Sequence, residues 1–458
     1  MIEGLQPYPS YKESGIPWMP YIPHGWKTER AKWLFTKMNR PVRPSDETVT
    51  CFRDGKVTLR KNRRLRGFTE AIVEAGYQGI RKGDLVIHVM DAFAGAVGVS
   101  DSDGKGTPVY SVCQPKKAAN ASYYALTVRE MACSQWIIAL AKGVRERSTD
   151  FRFEIFGKQS LPLPPPDEQA AIVKFLGHAN RKIDGFIRAK RNLIQLLNEQ
   201  KQTIIHCAVT RGLNPNASLK PSGIPWLGDV PKHWKVTRIK YLLKEVDSRS
   251  TTGEEPLLSM RMHHGLVVFA EHFTRPPQAA SLVGFKIVNL GQFVVNRMQA
   301  GNGVIYPSCL SFSGLVSPDY AVFDPIADVD IEFLGELFRS RTMRTKFRSE
   351  SKGLGTGTSG FLRLYNDRFG AIHIALPPRH EQESIMKGLE SECADLNTAI
   401  ARTEREIALM QEYRTRLTSD IVTGKLDVRQ VSVTMSDLEN VADLSSEPDE
   451  EDIIEEKI

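Results

Sequence analysis

The feature of this sequence that most constrains its fold is a long amphipathic stretch between residues 161 and 213. It opens with Leu161-Pro-Leu-Pro-Pro-Pro166, in which the prolines block a helix. After them, apolar residues recur mostly at intervals of three, four or seven, with charged and amide residues between. This heptad spacing predicts one continuous helix, roughly 60 Å long. Its apolar seam consists of Ile172, Leu176, Ala179, Ile183, Phe186, Leu193, Leu197 and Ile204.

A second stretch with the same pattern follows Ala375-Leu-Pro-Pro378. Glu168-Gln169 aligns with Glu381-Gln382, and the alignment continues without a gap at an offset of 213 to Val422-Thr423. A lone helix of this length would expose its seam to water, and each predicted helix offers the other a partner. We therefore expect an intramolecular coiled coil. The second seam consists of Ile385, Leu389, Leu396, Ile400, Ile407, Met410, Leu417 and Ile421.

The segments that precede the helices also repeat. Ser14-Gly-Ile-Pro-Trp18 returns as Ser222-Gly-Ile-Pro-Trp226, and the Trp26 segment returns around Trp234, both at an offset of 208. The chain is thus a tandem duplication of a globule followed by a helix. We expect a first globule over 1–165, a first long helix over 166–213, a second globule over 214–378, a second long helix over 379–425 and an acidic tail over 426–458.

Each globule is predicted to mix α and β structure. Residues 84–90 and 293–298 are short β-rich runs, and residues 110–112 and 320–323 are predicted to be further strands. Single helices are expected over 122–141 and 331–347. The predicted fold class is α+β, with two mixed α/β domains joined by two long helices.

The charge of the chain is unevenly distributed. The net charge is +7, but residues 436–458 hold ten acidic residues and one lysine, so residues 1–435 carry +16. A basic body of this kind favours a polyanionic partner. The acidic tail, which has few aromatic residues, is predicted to be disordered.

Cysteine usage and hydropathy indicate the compartment. The six cysteines are scattered singly without a C-x-x-C pair, which argues against a metal cluster or a disulfide framework and fits a reducing cytoplasm. No apolar run approaches the ~20 residues that span a bilayer. The N-terminal residues show no signal-peptide pattern. We therefore expect a cytoplasmic location and no membrane association.

Motifs for catalysis are mostly absent from the sequence. There is no G-x-x-x-x-G-K-[ST] loop, and Gly355-Thr-Gly-Thr-Ser-Gly360 matches G-x-G-x-x-G without following a strand or opening a long helix. We expect that segment to be a flexible loop near DNA. His263, His264 and His272 lack carboxylate or cysteine partners at ligand spacing and are predicted to be loop histidines. No catalytic residue and no metal ligand is predicted.

Two cation clusters and one polar loop are the candidate nucleic-acid contacts. Cations at this density neutralise phosphates, although a solvated basic face is the alternative for each cluster. The loop over 296–303 combines Arg, Asn and Gln, which recognise bases, with glycines that let a loop enter a groove; an ordinary polar turn is the alternative. The aligned segment over 88–98 is chemically different and two residues longer, so we expect it to recognise another sequence. The candidates are Arg53, Lys56, Arg60, Lys61, Arg63, Arg64, Arg66, Arg297, Gln299, Asn302, Arg341, Arg344, Lys346 and Lys352.

Together these motifs resemble a known family. Two globules, each opening with Gly-Ile-Pro-Trp and ending in a proline-rich segment with Glu-Gln before a long helix, resemble the specificity (S) subunit of type I restriction–modification systems. The resemblance covers roughly residues 10–430. It implies that each globule is a target recognition domain, and that the two helices pack antiparallel and set the distance between the domains with pseudo-two-fold symmetry.

The resemblance also implies partners. These are double-stranded DNA, two methylating (M) subunits and, for restriction, ATP-driven (R) subunits. The partners would hold S-adenosylmethionine, ATP and Mg²⁺, and this chain would hold no cofactor. The base-recognising residues are not implied, because they vary within the family.

Two other classes of protein are alternatives to this interpretation of the sequence. A free-standing DNA-modifying or DNA-cleaving enzyme is disfavoured because the catalytic motifs are missing. A purely structural coiled-coil scaffold is disfavoured by the basic loops and the large globules.

Overall fold

The computed structural model describes residues 5–63, 74–140, 150–262, 264–273, 276–354, 361–429 and 431. The chain divides into two compact units: unit 1 comprises residues 1–190 and 405–458, and unit 2 comprises residues 191–404. Each unit therefore contains one globule and part of each long helix. The acidic tail is predicted to be disordered. Of its residues, the structure describes 426–429 and 431, and the others lie outside the described part of the chain. No helix in the described part is long and apolar enough to cross a membrane.

Unit 1 contains twelve strands in its described residues. They are β1 (Tyr11–Ile16), β2 (Met19–Pro23), β3 (Lys27–Arg30), β4 (Phe35–Lys37), β5 (Val49–Cys51), β6 (Val57–Leu59), β7 (Gln78–Ile80), β8 (Leu85–His88), β9 (Val97–Val99), β10 (Gly104–Gly106), β11 (Tyr110–Pro115) and β12 (Ser160–Leu163). The helices that begin in unit 1 are α1 (Ala31–Leu34), α2 (Ala121–Cys133), α3 (Trp136–Leu140), α4 (Phe153–Phe156) and the long α5 (Pro166–Arg211).

Unit 2 contains fourteen strands in its described residues. They are β13 (Leu219–Pro221), β14 (Asp229–Pro231), β15 (Lys235–Arg238), β16 (Leu243–Val246), β17 (Leu258–Arg261), β18 (Gly265–Val268), β19 (Lys286–Val288), β20 (Phe293–Val295), β21 (Ile305–Pro307), β22 (Gly314–Val316), β23 (Ala321–Pro325), β24 (Lys352–Leu354), β25 (Phe361–Arg363) and β26 (His373–Leu376). The helices that begin in unit 2 are α6 (Phe269–His272), α7 (Ile331–Arg339), α8 (Arg341–Glu350), α9 (Asn366–Ala371) and the long α10 (Arg379–Val422).

The two units repeat one sheet topology. The four-stranded antiparallel sheet of unit 1 has the order β4-β11-β8-β9, and that of unit 2 has the equivalent order β16-β23-β20-β21. In each unit the strand that enters the globule pairs with the strand that leaves it, as β3 with β12 and β15 with β26. The duplication in the sequence is therefore a duplication of the fold.

The strand at the centre of each globule is buried on both faces. In β8, Leu85 and Ile87 belong to the main core of unit 1, whereas Val86 packs into a second, smaller cluster. In β20, Phe293 lies in the main core of unit 2 and Val294 in its smaller cluster. Burial on both faces explains why these strands are continuous apolar runs rather than alternating ones.

The predicted single helices are wrong in both globules, because each is broken. Gln135, with φ of +63°, separates α2 from α3. Ser340 has extended backbone angles between α7 and α8, and its hydroxyl accepts the N–H of Met343. A short polar side chain that caps a new helix competes with continuation of the previous one.

The long helices α5 and α10 pack against each other, and they run antiparallel in each unit. In unit 1, Arg414 donates to the carboxylate of Asp184, and the Nζ atom of Lys190 lies 2.7 Å from the Oε2 atom of Glu406. In unit 2, Lys201 donates to Asn397 at 2.7 Å, and Leu213, just beyond the end of α5, lies against Gly388. Because residue numbers fall along α10 as they rise along α5, the helices have opposite directions.

The buried faces of these helices depart from the heptad prediction at two positions. Phe186 and Leu193 are each 39% exposed, whereas the neighbouring Ile187 and Ile194 are buried and partly buried. The inward positions follow the 3.6-residue turn of a straight helix rather than the 3.5-residue turn of a supercoil, so a strict heptad drifts off the contact face. The other proposed seam residues are buried or partly buried: Ile172, Leu176, Ile183, Leu197, Ile204, Ile385, Leu389, Leu396, Ile400, Ile407 and Leu417.

Candidate nucleic-acid interface

The Glu-Gln pair at the start of α5 fixes the position of the globule in unit 1. Buried Glu168 accepts the indole N–H of Trp26 at 2.8 Å. Gln169, fully buried, accepts the backbone N–H of Asn120 at 2.8 Å and donates to the carbonyl oxygen of Pro164 at 2.9 Å. Asn120 caps α2, so one amide side chain joins the long helix to the helix that supports the central sheet.

The same arrangement recurs at the start of α10 in unit 2. Glu381 accepts the indole N–H of Trp234 at 3.1 Å. Gln382 accepts the N–H of Asp330, the cap of α7, at 2.8 Å and donates to the carbonyl of Pro377 at 2.9 Å. Buried polar groups require such partners, so the repeated sequence motif is explained by the assembly of each globule on its helix.

A short 3₁₀ turn follows the central strand of each globule, and in unit 2 it holds the candidate base-recognising side chains Gln299 and Asn302. The turns, Ala92–Ala94 and Ala300–Asn302, have the same backbone geometry. Each ends in a glycine with positive φ, +87° at Gly95 and +83° at Gly303, a conformation that favours glycine. Ala92 and Ala300 are fully buried and anchor the turns.

The two turns are of equal length, so the prediction that the first aligned segment is longer is wrong. Residues 88–95 match residues 296–303 one for one at the offset of 208. The offset becomes 210 between β9–β10 and β21–β22, where unit 2 is the longer. The frame is therefore shared, and only the side chains on it differ.

In unit 1, the turn lies beside the tip of the β5–β6 hairpin and the last turns of α2. Arg53 at the hairpin tip lies 3.1 Å from Asp91 at the start of the 3₁₀ turn. Gly55 has a φ of +90°, which favours glycine, and a Cβ there would come within 2.1 Å of the Arg129 guanidinium and displace it. Burial lowers the pKa of Arg129. Arg53 is thus paired with Asp91, whereas Arg129 lies beneath the hairpin beside Gly55 and Gly95.

The first cation cluster consists of Arg53, Lys56, Arg60, Lys61, Arg63, Arg64 and Arg66. Its members other than Arg53 differ in the groups that they contact. Lys56 is exposed. Three others contact neighbouring side chains: Lys61 lies 2.6 Å from Glu47, Arg63 lies 2.6 Å from Asp54 and over the ring of Phe52, and Arg60 donates to the hydroxyl of Thr50 at 3.4 Å. Carboxylates are therefore interspersed among the cations that the sequence grouped together. Arg64 and Arg66 lie outside the described residues.

In unit 2, a chain of hydrogen bonds crosses the turn. Arg348 of α8 donates to the Oδ1 atom of Asn302 at 3.0 Å, and the Nδ2 group of Asn302 donates to the Oε1 atom of Gln299 at 2.7 Å. Gln299 is exposed to solvent. The exposed amide of Gln299 is thus held in place by Asn302, which is held in turn by Arg348.

The predicted cations on α8 do not share one face. Arg341, Arg344 and Arg348 are three and four residues apart and lie on the same side of the helix. Arg344 packs against Gly303, and its Nε atom is buried without a partner in the described structure. Lys346 points elsewhere, because its ammonium group lies 2.5 Å from Glu350 and over the ring of Trp226.

Two further candidates lie beside the turn. The Nε group of Arg297 donates to the backbone oxygen of Asp319 at 2.7 Å, and burial together with neighbouring Arg363 lowers the pKa of Arg297. Arg297 is therefore held against its own globule. Lys352 is exposed at the start of β24.

Two arginines near the turns, Arg129 and Arg348, are not among the candidates predicted from the sequence. Arg129 is isolated from other basic residues, and no periodic signal could have identified it because its neighbours Gly55 and Gly95 are distant in sequence. Arg348 belongs to the basic run on α8, and helical spacing from Arg344 could have placed it on the same face.

The remaining sequence expectations concern metal ligands, the histidines and the glycine-rich segment. No group of three or more His, Cys, Asp or Glu is arranged there to hold a metal ion. His272 ends helix α6 rather than lying in a loop, which corrects that expectation. Residues 355–360 and His263 lie outside the described part of the chain.

No protein-family model matches the chain. A segment of 87 residues is 32% identical to the type I restriction enzyme MjaVIII specificity subunit of Methanocaldococcus jannaschii, and it spans only 19% of that relative's length and 19% of this chain. This match relates a fifth of the chain to a specificity subunit.

The fold comparison covers most of the chain. A chain from a structure on complex assembly and conformational transition of the type I R-M system superposes with a TM-score of 0.59 and 14% identity, covering 88% of this chain and 98% of that one. The HsdS subunit from Thermoanaerobacter tengcongensis gives a TM-score of 0.41 at 16% identity and covers 88% and 96%. The fold assignment rests on the first.

The class that these findings define is a duplicated α+β protein with the fold of a type I restriction–modification chain. Within that class, the similarity of 87 residues to a specificity subunit agrees with the resemblance that the sequence motifs indicated.

Proposed function

We propose that this chain is the DNA target-recognition subunit of a type I restriction–modification complex, with no catalytic site of its own. One observation carries the proposal: the two globules place different side chains on the same 3₁₀ turn, Asp91 and Phe93 in unit 1 and Gln299 and Asn302 in unit 2. A shared frame with different side chains suits the recognition of two different half-sites, because base edges are distinguished by hydrogen-bonding groups. The target is then bipartite and asymmetric.

The contacts to DNA are proposed from exposure and charge. In unit 1, Arg53 and Lys56 are exposed cations of the first cluster, and Arg53 lies beside the 3₁₀ turn. In unit 2, exposed Arg341 and Lys352 are suited to phosphates, whereas Gln299 is suited to a base edge. The domain boundaries given by the sequence are part of this proposal, with each globule acting as one target recognition domain.

The proposed partners are two methylating subunits and, for cleavage, ATP-driven restriction subunits. S-adenosylmethionine, ATP and Mg²⁺ would be held by those partners in the cytoplasm, where the DNA lies. The repeat supports two copies of one partner, because Trp33 and Tyr241 occupy equivalent positions, are each 60% exposed and each have a lysine ammonium group over the ring. A surface that occurs twice can bind the same partner twice.

The proposal is tested by co-expressing the chain with its methylating subunit and mapping methylated bases in the host genome. We expect one asymmetric motif of two half-sites separated by an unspecified spacer, and native mass spectrometry should show two methylating subunits per chain. Methylation without a shared motif would contradict the function. So would methylation or cleavage by a preparation that contains this chain alone.

A further inference from the structure

The chain of hydrogen bonds across the second turn has a fixed direction. An arginine side chain can only donate hydrogen bonds, so Asn302 must present its oxygen to Arg348. Its amide nitrogen then faces Gln299, and Gln299 must present its oxygen to that nitrogen. Arg348 thereby sets the orientation of both amides, one after the other.

The exposed edge of Gln299 is consequently defined. Among the described residues its Nε2 group has no acceptor and keeps both N–H donors, and its Oε1 atom keeps a second lone pair. In the major groove adenine offers the acceptor N7 beside the donor N6, which matches a donor and an acceptor on one amide. Guanine offers two acceptors there, so the oxygen of Gln299 would face the O6 atom of guanine.

From this geometry we infer that Gln299 recognises an adenine in the half-site bound by the second globule, with Asn302 and Arg348 as positioning residues. The inference rests on the proposed function. The turn itself is suited to the task, because Ala300 is fully buried and Gly303 closes the turn in the left-handed region, so the amide is presented from a fixed backbone.

The equivalent turn in unit 1 cannot act in the same way. At the offset of 208, Asp91 stands where Gln299 stands, and Ala94 stands where Asn302 stands. A carboxylate there lies beside Arg53 and has no amide group to donate to N7 of adenine. The inferred adenine contact therefore belongs to one half-site only, and the other half-site serves as an internal control.

The test selects binding sites from a randomised DNA library with the full chain in complex with its methylating subunit. Gln299→Ala should reduce discrimination for adenine at one position of one half-site, on the order of 10- to 100-fold, as expected for a bidentate pair. Replacing that adenine by 7-deazaadenine, which lacks the N7 acceptor, should weaken binding by the wild-type chain and should have no further effect on Gln299→Ala.

The role of Arg348 is tested with two variants and a matched control. Arg348→Lys keeps a side chain that can only donate hydrogen bonds, so this variant should retain the adenine preference. Arg348→Gln can accept as well as donate, so the amides can reverse, and tolerance of cytosine, whose N4 group donates, should rise at that position. Arg341→Gln removes the same charge from the same helix and should weaken all sequences alike.

The outcomes separate the inference from the function. If the wild-type complex selects no motif, the proposed function fails. If it selects two half-sites but Gln299→Ala changes no single position, or 7-deazaadenine is harmless at every position, the assignment of Gln299 is wrong. If Arg348→Gln behaves like Arg341→Gln, Arg348 contacts phosphate and does not position the amides. Retention of the other positions of the second half-site shows that the second globule of each variant is folded.

Discussion

His88 and Asn296 occupy equivalent positions before the two 3₁₀ turns, and each holds its turn by accepting a backbone N–H. The Nδ1 atom of His88 accepts from Asp91 at 3.1 Å, and the Oδ1 atom of Asn296 accepts from Met298 at 3.2 Å. An Nδ1 atom that accepts must carry no proton, so the ring is neutral. Burial lowers the pKa of His88 below its ordinary value of 6.5, although neighbouring Asp91 raises it.

This difference predicts an acid sensitivity of one half-site. Below about pH 6.5 the unfolded histidine binds a proton more readily than the folded one, so the free energy of unfolding falls as the pH falls. Protonation of Nδ1 also removes the acceptor for the backbone N–H of Asp91. The carboxylate of Asp91 raises the pKa of the ring and Arg53 lowers it, and the ring of Tyr110 packs against His88. We expect the first half-site to discriminate fully at about pH 7.5 and to lose discrimination at an acidic pH below about 6.5, where the folded ring takes up a proton.

Library selection at both pH values measures this effect. The second half-site, held by Asn296, should be unchanged, and His88→Asn should make the first half-site equally insensitive. A parallel loss in both half-sites would attribute the effect to general protonation rather than to His88.

Elements could be predicted from the sequence where their signal is local. The spacing of apolar residues identified both long helices, but it could not show that their inward faces follow a straight helix, which places Ile187 rather than Phe186 inside. The Glu-Gln motif was visible, yet its partners Trp26 and Asn120 are far away in sequence. The basic hairpin was visible too, but not the carboxylate of Glu47 that comes to lie beside it.

The hairpin that joins β5 and β6 gives a prediction about phosphate contacts. Lys56 is exposed at its tip, and the described residues place no carboxylate within ion-pair distance of it, whereas Lys61 is paired with Glu47 at 2.6 Å. Lys56→Gln should flatten the slope of log affinity against log salt by about 0.9, the value for one phosphate contact. Lys61→Gln should change the slope less. An unchanged slope for Lys56→Gln would show that the hairpin tip does not meet the DNA backbone.

At the scale of the whole chain, the sequence revealed the duplication but not where its halves differ in length. The offset is 208 as far as β9 and β21, 210 at the caps Asn120 and Asp330, and 213 at β12 and β26. The differences therefore fall between β21 and β22 and in the segment that holds α8, β24, β25 and α9. Connections tolerate insertions that a buried central sheet does not, so the frame is repeated and the differences are confined to its connections.

The long helices give the last prediction, which concerns the spacer between half-sites. If α5 and α10 set that distance, lengthening both by four residues should lengthen the spacer. Suitable positions are after Leu197 and after Ile400, near the contact between Lys201 and Asn397. Four residues add about 6 Å and nearly one turn, which corresponds to about two base pairs. The half-site sequences should not change, because neither turn is altered. Mapping of methylated sites measures both quantities, and the same four residues inserted after Asn216, in the loop beyond α5, should leave the spacer as it was. An active variant with an unchanged spacer, or with a changed half-site, would show that these helices do not set the distance.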